Sequence, residues 1–358
     1  MKSIRVALAG VGGCASSLIQ VIESARQHAT TAGIMYETIG GYRVADMEVV
    51  LAFEVDRNKV GLDLAKAIVT PPTAAVAHTY VPSHAVIAEA GPVLDGIDGT
   101  LTGVIEPHAM CGSISLGDVA RRLTETRSDV LVCVVPAGAT MAVQMYARAA
   151  ARAAVAFINA TPEPVVHEPE LVRLFSDSGT PLLGDDLRSH LGATTLHTAL
   201  IELMHSRGLI IENTYQLNVG GNTDFMNLSD PQRAASKLRS KRSALQASGI
   251  DAHDISAGPN GYVQFLGDTK TCFIRIEARS VLDSLLVFDI RMQTEDSPNA
   301  AGVLVTAIRL AKAAKDQRQG GVIDAPCPFL FKHPSRGAPE SVGLRMLDEY
   351  VNSMAAAT

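Results

Sequence analysis

Four lysines carry the first suggestion of chemistry. Lys237 and Lys241 stand four apart in Ser236-Lys-Leu-Arg-Ser-Lys, a spacing that puts both on one face of a helix. Lys270 closes Gly267-Asp-Thr-Lys, and Lys332 lies in Phe-Leu-Phe-Lys-His-Pro near the C-terminal end. A lysine is a compact charge that can hold phosphate. Buried beside other cations, its pKa falls until it can move protons. From spacing alone, a basic surface turn explains Lys237 and Lys241 at least as well. Two more segments concentrate unusual residues. Gly184-Asp-Asp-Leu-Arg-Ser-His-Leu-Gly-Ala-Thr-Thr pairs two acids with a hydroxyl-rich turn able to seat a phosphate, and Asn218-Val-Gly-Gly-Asn-Thr-Asp-Phe-Met-Asn-Leu follows. Asp296, before Ser-Pro, is by itself an ordinary turn or helix-cap acid.

Gly10-x-Gly12-x-x-Ala15 fits the dinucleotide fingerprint in its Gly-x-Gly-x-x-Ala form. Gly10 permits the tight turn, Gly12 lets backbone approach a pyrophosphate, and Ala15 allows close packing of helix on strand. The motif follows a strand-like run, Ile4–Ala9, and opens a helix over Leu18–Arg26, which is the context it needs. Glu54 closes a second strand, Glu48–Val55, where an acid is placed to bind the adenosine ribose and favour NAD over NADP. An insertion at 27–46, without clear period, explains its wide separation from Gly10.

A helix is expected over Lys59–Ile68 and irregular structure over 69–113. From there strands and helices alternate: helix 117–126, strand 130–135, Ala-rich helix 139–154, strand 155–159, helix 168–178 and strand 181–183. That rhythm predicts a Rossmann-type doubly wound parallel sheet with helices on both faces. Past residue 200 the pattern changes. Residues 210–219, 271–279 and 284–293 alternate apolar and polar, as half-exposed antiparallel strands do. The expected division is an NAD-binding domain over 1–200, completed by 300–358 through a helix at 299–315, and an α+β catalytic and oligomerisation domain over 201–299 with a largely antiparallel sheet.

With 358 residues and 47% hydrophobic content, the chain can bury a large core. A net charge of −6 and the absence of Trp give no reason to expect nucleic acid or an anionic membrane as partner. The five cysteines are odd in number and show no CxxC spacing, which points to reduced thiols and a cytoplasmic protein. No apolar run is long enough to span a bilayer, and the N-terminal run reads as a strand rather than a secretory leader. No ligand cluster announces a metal.

Read in order, GVGGCASS (10–17), FEVDRNKVG (53–61), GDDLRSHLGAT (184–194), QLNVGGNTDFMN (216–227), SKLRSK (236–241), GDTK (267–270), EDSPNAAGV (295–303) and FLFKHP (329–334) resemble the myo-inositol-1-phosphate synthase family, in its shorter prokaryotic type. The runs cover nearly the whole chain. The resemblance implies NAD as an internal redox catalyst and a hexose 6-phosphate substrate. Glucose 6-phosphate is oxidised at C5 and loses a proton at C6; the enolate attacks the C1 aldehyde; the ring ketone is re-reduced to give myo-inositol 1-phosphate. It also implies a homotetramer. By similarity, Lys270 and Lys241 bind phosphate and substrate oxygens, Lys237 handles the proton at C5, and Lys332 polarises the carbonyl during ring closure. Asp185 and Asp296 match acids near the nicotinamide and the lysines. Ser189, Gly192, Ala193 and Thr194 match the phosphate-side turn, with Asn218, Asn222 and Asp224 beside the substrate. Gly10, Gly12, Gly13, Cys14, Ala15, Glu54 and Pro136 fall on the cofactor side.

The chain departs from the family pattern at several of these places. Gly13 stands where Asn is common, Glu54 where Asp is usual, Arg188 for Lys, and Thr198 for Arg. Pro136-Ala-Gly-Ala-Thr replaces Pro-Val-Gly-Ser-Glu, and 69–82 lacks an Asn-rich stretch. The same machinery acting on fructose 6-phosphate would attack a C2 ketone and close a five-membered cyclitol, as a carbocyclic nucleoside pathway requires. That is the second reading. A plain NAD-dependent dehydrogenase and a non-catalytic NAD sensor are further alternatives; the lysines argue against the sensor, which has no need of them.

Overall fold

A computed structural model describes residues 2–28, 32–83, 85–247, 249 and 255–356. Residues 29–31 of the expected insertion and 357–358 of the expected C-terminal completion lie outside the described residues.

The first sheet has seven strands, all paired in parallel. They are β1 (Ile4–Ala9), β2 (Met47–Glu54), β3 (Ala88–Ala90), β4 (Val130–Cys133), β5 (Ala156–Asn159), β6 (Pro181–Leu183) and β11 (Gly321–Val322), in the spatial order β11-β6-β5-β4-β1-β2-β3. A strand covered on both faces has to be apolar on both, and β1 shows how the two layers divide. Ile4, Val6 and Leu8 point into one core with α1 (Gly13–His28), α9 (Asp296–Asp316) and α11 (Glu340–Ala356). Ala7 and Ala9 point into the other, with α3 (Leu116–Glu125), α4 (Thr140–Arg152) and α5 (Pro169–Asp177). The expected doubly wound parallel sheet is therefore present, and α9 returns the chain to it.

The second sheet runs β10-β9-β7-β8, from β7 (Ile210–Gly220), β8 (Ile255–Tyr262), β9 (Thr269–Arg279) and β10 (Leu285–Glu295). β7, β9 and β10 pair antiparallel; β8, which has no alternating signature in the sequence, adds to β7 in parallel. Cys272, Ile274, Ile276 and Ala278 of β9 face Met204 of α6 (Ala193–Ser206) in a separate core. Helix α6 straddles the boundary expected at residue 200. Two helices complete this half, α7 (Thr223–Asn227) and α8 (Pro231–Ala247), while α10 (Cys327–Leu330), near the end of the chain, packs back into the first core.

Three local expectations change. Residues 69–113, expected to be irregular, include β3, which pairs in parallel with the end of β2. The helix expected from Lys59 is only α2 (Leu64–Ala67), which starts where the Asp63 side chain accepts from the Ala65 N–H. Residues before it wrap around Asp56, whose carbonyl accepts from the N–H groups of Lys59 and Val60. The described part of the 27–46 insertion is docked rather than loose. Arg309, fully buried on α9, donates to the Tyr36 and Glu37 carbonyls, and the Tyr42 hydroxyl donates to Asp316 at 2.6 Å.

Ile308, fully buried on α9 against the first sheet, tests whether this late helix is integral to the early strands. Ile308→Ala is expected to lower the unfolding free energy by about 2–5 kcal/mol, read as a shifted midpoint in urea.

Candidate active site

The first βα turn is shaped by what glycine permits. Gly10 has φ +99°, and a Cβ there would sit 3.1 Å from the Val134 carbonyl oxygen. Its N–H donates to the Phe53 carbonyl, which sets the loop against β2. Ala15 is fully buried against the sheet, and α1 opens at Gly13 with its N-terminus toward a large cavity. Gly13 lies against Ser297 in the first turn of α9: a Cβ would come within 2.4 Å of the Ser297 hydroxyl oxygen. Ser297 cannot easily yield, because its N–H and hydroxyl both donate to Asp268, at 3.0 and 2.7 Å. The Asn common at this position would not fit here. Burial and the nearby Asp296, Asp224 and Asp268 push the Cys14 thiol up to about 12, so it stays protonated.

The lysines reach the same cavity from four directions. Lys237 and Lys241 come from one face of α8, Lys270 from the start of β9, and Lys332 from the segment after α10. That segment forms a short ladder with 185–188. The Lys332 N–H donates to the Asp186 carbonyl, Asp185 and His333 exchange backbone hydrogen bonds, and Arg188 N–H donates to Leu330. The ladder brings Lys332 to the Asp186 side chain. Asp186, fully buried, accepts from Lys237 Nζ at 2.9 Å and Lys332 Nζ at 3.1 Å, and from the Ser240 hydroxyl. Lys332 also donates to the Leu187 carbonyl at 2.8 Å. Lys270 pairs with Asp296 at 2.9 Å, and Asn222 donates to both Asp268 and Asp296.

Electrostatics sort the four lysines. Burial penalises the Lys237 charge, but Asp186, Asp224 and Asp296 outweigh it and hold its pKa above the ordinary lysine value. Burial likewise opposes the charge on Lys270, and Asp296 more than restores it. Lys332 is lowered to about 8 by burial, with Lys237 and Lys270 adding to the effect and Asp186 resisting it. Lys241 falls well below the ordinary value, through burial and then its three cationic neighbours. Burial pushes the Asp186 carboxyl up, yet Lys237 and Lys332 pull it net below the usual range. The site thus holds two fixed cations and two amines able to lose or gain a proton, which suits it to stabilise a developing oxyanion and to transfer protons.

The cavity is lined by nearly every residue singled out in the sequence: Gly10, Gly12, Gly13, Cys14, Ala15, Glu54, Pro136, Ser189, Gly192, Ala193, Thr194, Asn218, Asn222, Asp224, Lys237, Lys241, Lys270, Asp296 and Lys332. Gly192 caps α6, so Ala193 and Thr194 offer the unpaired N–H groups of a helix start to an anion. Asn218 and Asn222 are partly engaged with the protein, Asn218 on the Gly258 carbonyl and Asn222 as the cap of α7. Asp185 is the exception. Its carboxylate accepts from Asn159 Nδ2 at 2.7 Å and from the Val165 and Val166 N–H groups, pointing away from the cavity. Burial raises its pKa to about 8 against the pull of those donors. Asp186 has a left-handed backbone, φ +59°, within a bend that turns its side chain and not that of Asp185 to the lysines. Sequence reading also passed over Asp268, Ser240 and Ser297. All three stand inside the quoted runs GDTK, SKLRSK and EDSPNAAGV, but nothing local marks them beside the lysines and acids of those runs. Among the described residues no group of three or more His, Cys, Asp or Glu is placed to hold a metal. The five cysteines form no disulfide, and among the described residues no helix is long and apolar enough to cross a membrane.

A family model described as "Myo-inositol-1-phosphate synthase" matches residues 192–297, the stretch from the phosphate-side turn to Ser297. The chain is 38% identical to the inositol-3-phosphate synthase of Mycolicibacterium smegmatis, over 97% of this chain and 98% of that one. It superposes on the crystal structure of Ari2 with a TM-score of 0.82 at 35% identity, covering 99% of both chains. A myo-inositol-1-phosphate synthase-related protein from Thermotoga maritima, 24% identical, shares the fold with a TM-score of 0.83 over 98% of both chains.

Gly13→Ala is expected to cost about 1–3 kcal/mol by forcing Ser297 off Asp268. Because the two residues meet, combining it with Ser297→Ala should cost less than the sum of the single changes. Thermal unfolding of the three variants measures the coupling.

Proposed function

The chain belongs to the myo-inositol-1-phosphate synthase family of isomerase-type sugar-phosphate cyclases, and we propose that it converts glucose 6-phosphate to myo-inositol 1-phosphate with NAD as a recycled redox partner. One observation carries this reading: a single cavity holds both the glycine loop at the N-terminus of α1 and four lysines backed by Asp186 and Asp296. Binding a dinucleotide needs only the first of these; holding a sugar phosphate, stabilising an enolate and moving protons needs the second as well.

The fit to NAD rests on the loop, where Gly10 admits a turn that a side chain would block, Gly12 stands open, and Glu54 closes β2 beside it. NAD, when bound, would take a hydride from C5 and later return it. The residues of the chain do the rest. The start of α6, the Ser189 hydroxyl, Lys270 and Lys241 would hold the phosphate. A dianion arriving beside Lys241 favours its charged form, so that amine would take up a proton as the phosphate docks. Lys332, with its pKa near 8, is suited to accept the proton of the C5 hydroxyl. Lys237, held charged, is suited to stabilise the ketone oxygen and the enolate that follows, and Asp186 keeps both amines in place. This exchanges the roles that resemblance alone assigns to Lys237 and Lys332.

We further propose a homotetramer. What supports it is the outer face of the second sheet, where Ile210, Leu285 and Val287 on one side of the Arg275–Asp289 ion pair and Phe273 on the other are exposed.

Incubation with glucose 6-phosphate or fructose 6-phosphate plus catalytic NAD, followed by NMR of the dephosphorylated product, tests the reading. A six-membered cyclitol from glucose 6-phosphate, without accumulating absorbance at 340 nm, is expected. A five-membered ring from fructose 6-phosphate would replace the substrate and keep the chemistry, whereas stoichiometric NADH would indicate a dehydrogenase. Lys237→Ala is expected to lower turnover by at least ~10²-fold while NAD still binds.

The pH dependence follows from Lys332. Its amine must be neutral to accept a proton, so kcat/KM is expected to rise with pH through about 8 and level off above it. The limb should vanish in Lys332→Met; its survival there would remove Lys332 from that role.

A further inference from the structure

Val11 lies between the two glycines of the loop, and the end of β2 holds it from both sides. Its N–H donates to Glu54 Oε2 at 3.0 Å. Its carbonyl accepts from Lys59 Nζ at 2.8 Å. The same ammonium donates to Thr73 Oγ1 at 2.8 Å and stands 4.0 Å from Glu54 Oε2. Lys59 is 4% exposed. Burial lowers its pKa while Glu54 and Asp56 act to keep the charge.

A trans peptide is planar, with its C=O and the following N–H pointing in opposite directions. Fixing the Val11 carbonyl on Lys59 therefore fixes the Gly12 N–H away from Lys59. Among the described residues no protein acceptor takes that N–H, and around Gly12 a Cβ would meet nothing within 4 Å. Glycine resists a peptide flip poorly, since it tolerates either sign of φ. Without the ammonium, nothing on the carbonyl side would stop the Val11–Gly12 peptide from turning its oxygen toward the place where an anion must lie.

We propose that Lys59 is a positioning residue for the dinucleotide diphosphate. It locks the Val11–Gly12 peptide so that the Gly12 N–H faces the anion, and through Thr73 it ties the 69–75 segment to the same point. Resting on the NAD reading above, the inference adds a residue that the glycine fingerprint does not contain. Lys59 itself does not touch the reacting atoms. Its effect is on cofactor affinity and not on the chemical step.

Isothermal titration of NAD and of ADP-ribose into the wild-type protein, Lys59→Met, Lys59→Gln and Thr73→Ala tests it. Lys59→Met is expected to weaken both ligands at least tenfold. In turnover assays it should raise the KM for NAD by a similar factor and leave kcat at saturating NAD within twofold. Lys59→Gln, which keeps a neutral donor, should fall between Lys59→Met and wild type, and Thr73→Ala should weaken binding about threefold. A purely structural lysine would instead lower kcat and the NAD-free melting temperature together. Wild-type protein that binds neither ligand would overturn the NAD reading and this inference with it. Wild-type binding matched within twofold by Lys59→Met would overturn this inference alone. Should Lys59→Met not fold, Lys59→Gln and Thr73→Ala decide in its place, and unchanged affinity in both would overturn the proposal.

Discussion

Four lysine side chains converge in one largely buried cavity, and the repulsion that four charges would feel there is what the surrounding structure has to answer. Taking even one charge out of water costs several kcal/mol unless a partner compensates it. Asp186 compensates Lys237 and Lys332 together, and Asp296 compensates Lys270. Lys241 has no carboxylate of its own among the described residues, and burial beside three other lysines lowers its pKa. The inequality among the lysines thus comes from two acids shared among four bases. It gives the site charged and dischargeable amines side by side.

Those two acids also tie the architecture together. Asp186 sits where the first sheet ends and links α8 to the late segment carrying Lys332. Asp296 opens α9, whose first turn meets the loop through Ser297 and Gly13 and whose remaining length packs under the first sheet. The N-termini of α1 and α9 approach one another because residue 13 has no side chain. Both lie at the C-terminal ends of parallel strands, where open α/β sheets place their ligands. The second sheet then contributes Asn218 and Lys270 from its own strand ends. Removing the pairing of Asp186 would disturb the cavity and the join between its elements in one step.

Much of this was legible in the sequence because the relevant signals are local. Apolar runs of four to six residues ending in glycine or asparagine mark parallel strands wherever they occur, and Gly10-x-Gly12-x-x-Ala15 states its own backbone needs. Lys237 and Lys241 share a face because a helix turns once in 3.6 residues. Four features escaped for lack of a local signal. β3 lies in a stretch read as irregular. β8 shows no alternation, α6 begins inside a run read as a turn, and the helix expected from Lys59 gave way to turns around Asp56.

The sequence by itself determined the residue types and their order: a glycine loop after a strand, an acid pair, four lysines and the alternation of the second sheet. Tertiary structure decided which members of those sets face one another. Two adjacent aspartates look equivalent in sequence, yet the left-handed bend at Asp186 turns its carboxylate toward the lysines while that of Asp185 meets backbone amides. Gly13 looks like a relaxed position until Ser297, almost three hundred residues later, is found occupying the space of its missing side chain. Lysine charge states are likewise set by burial and by neighbours brought from distant segments, and neither is a property of any window of the chain.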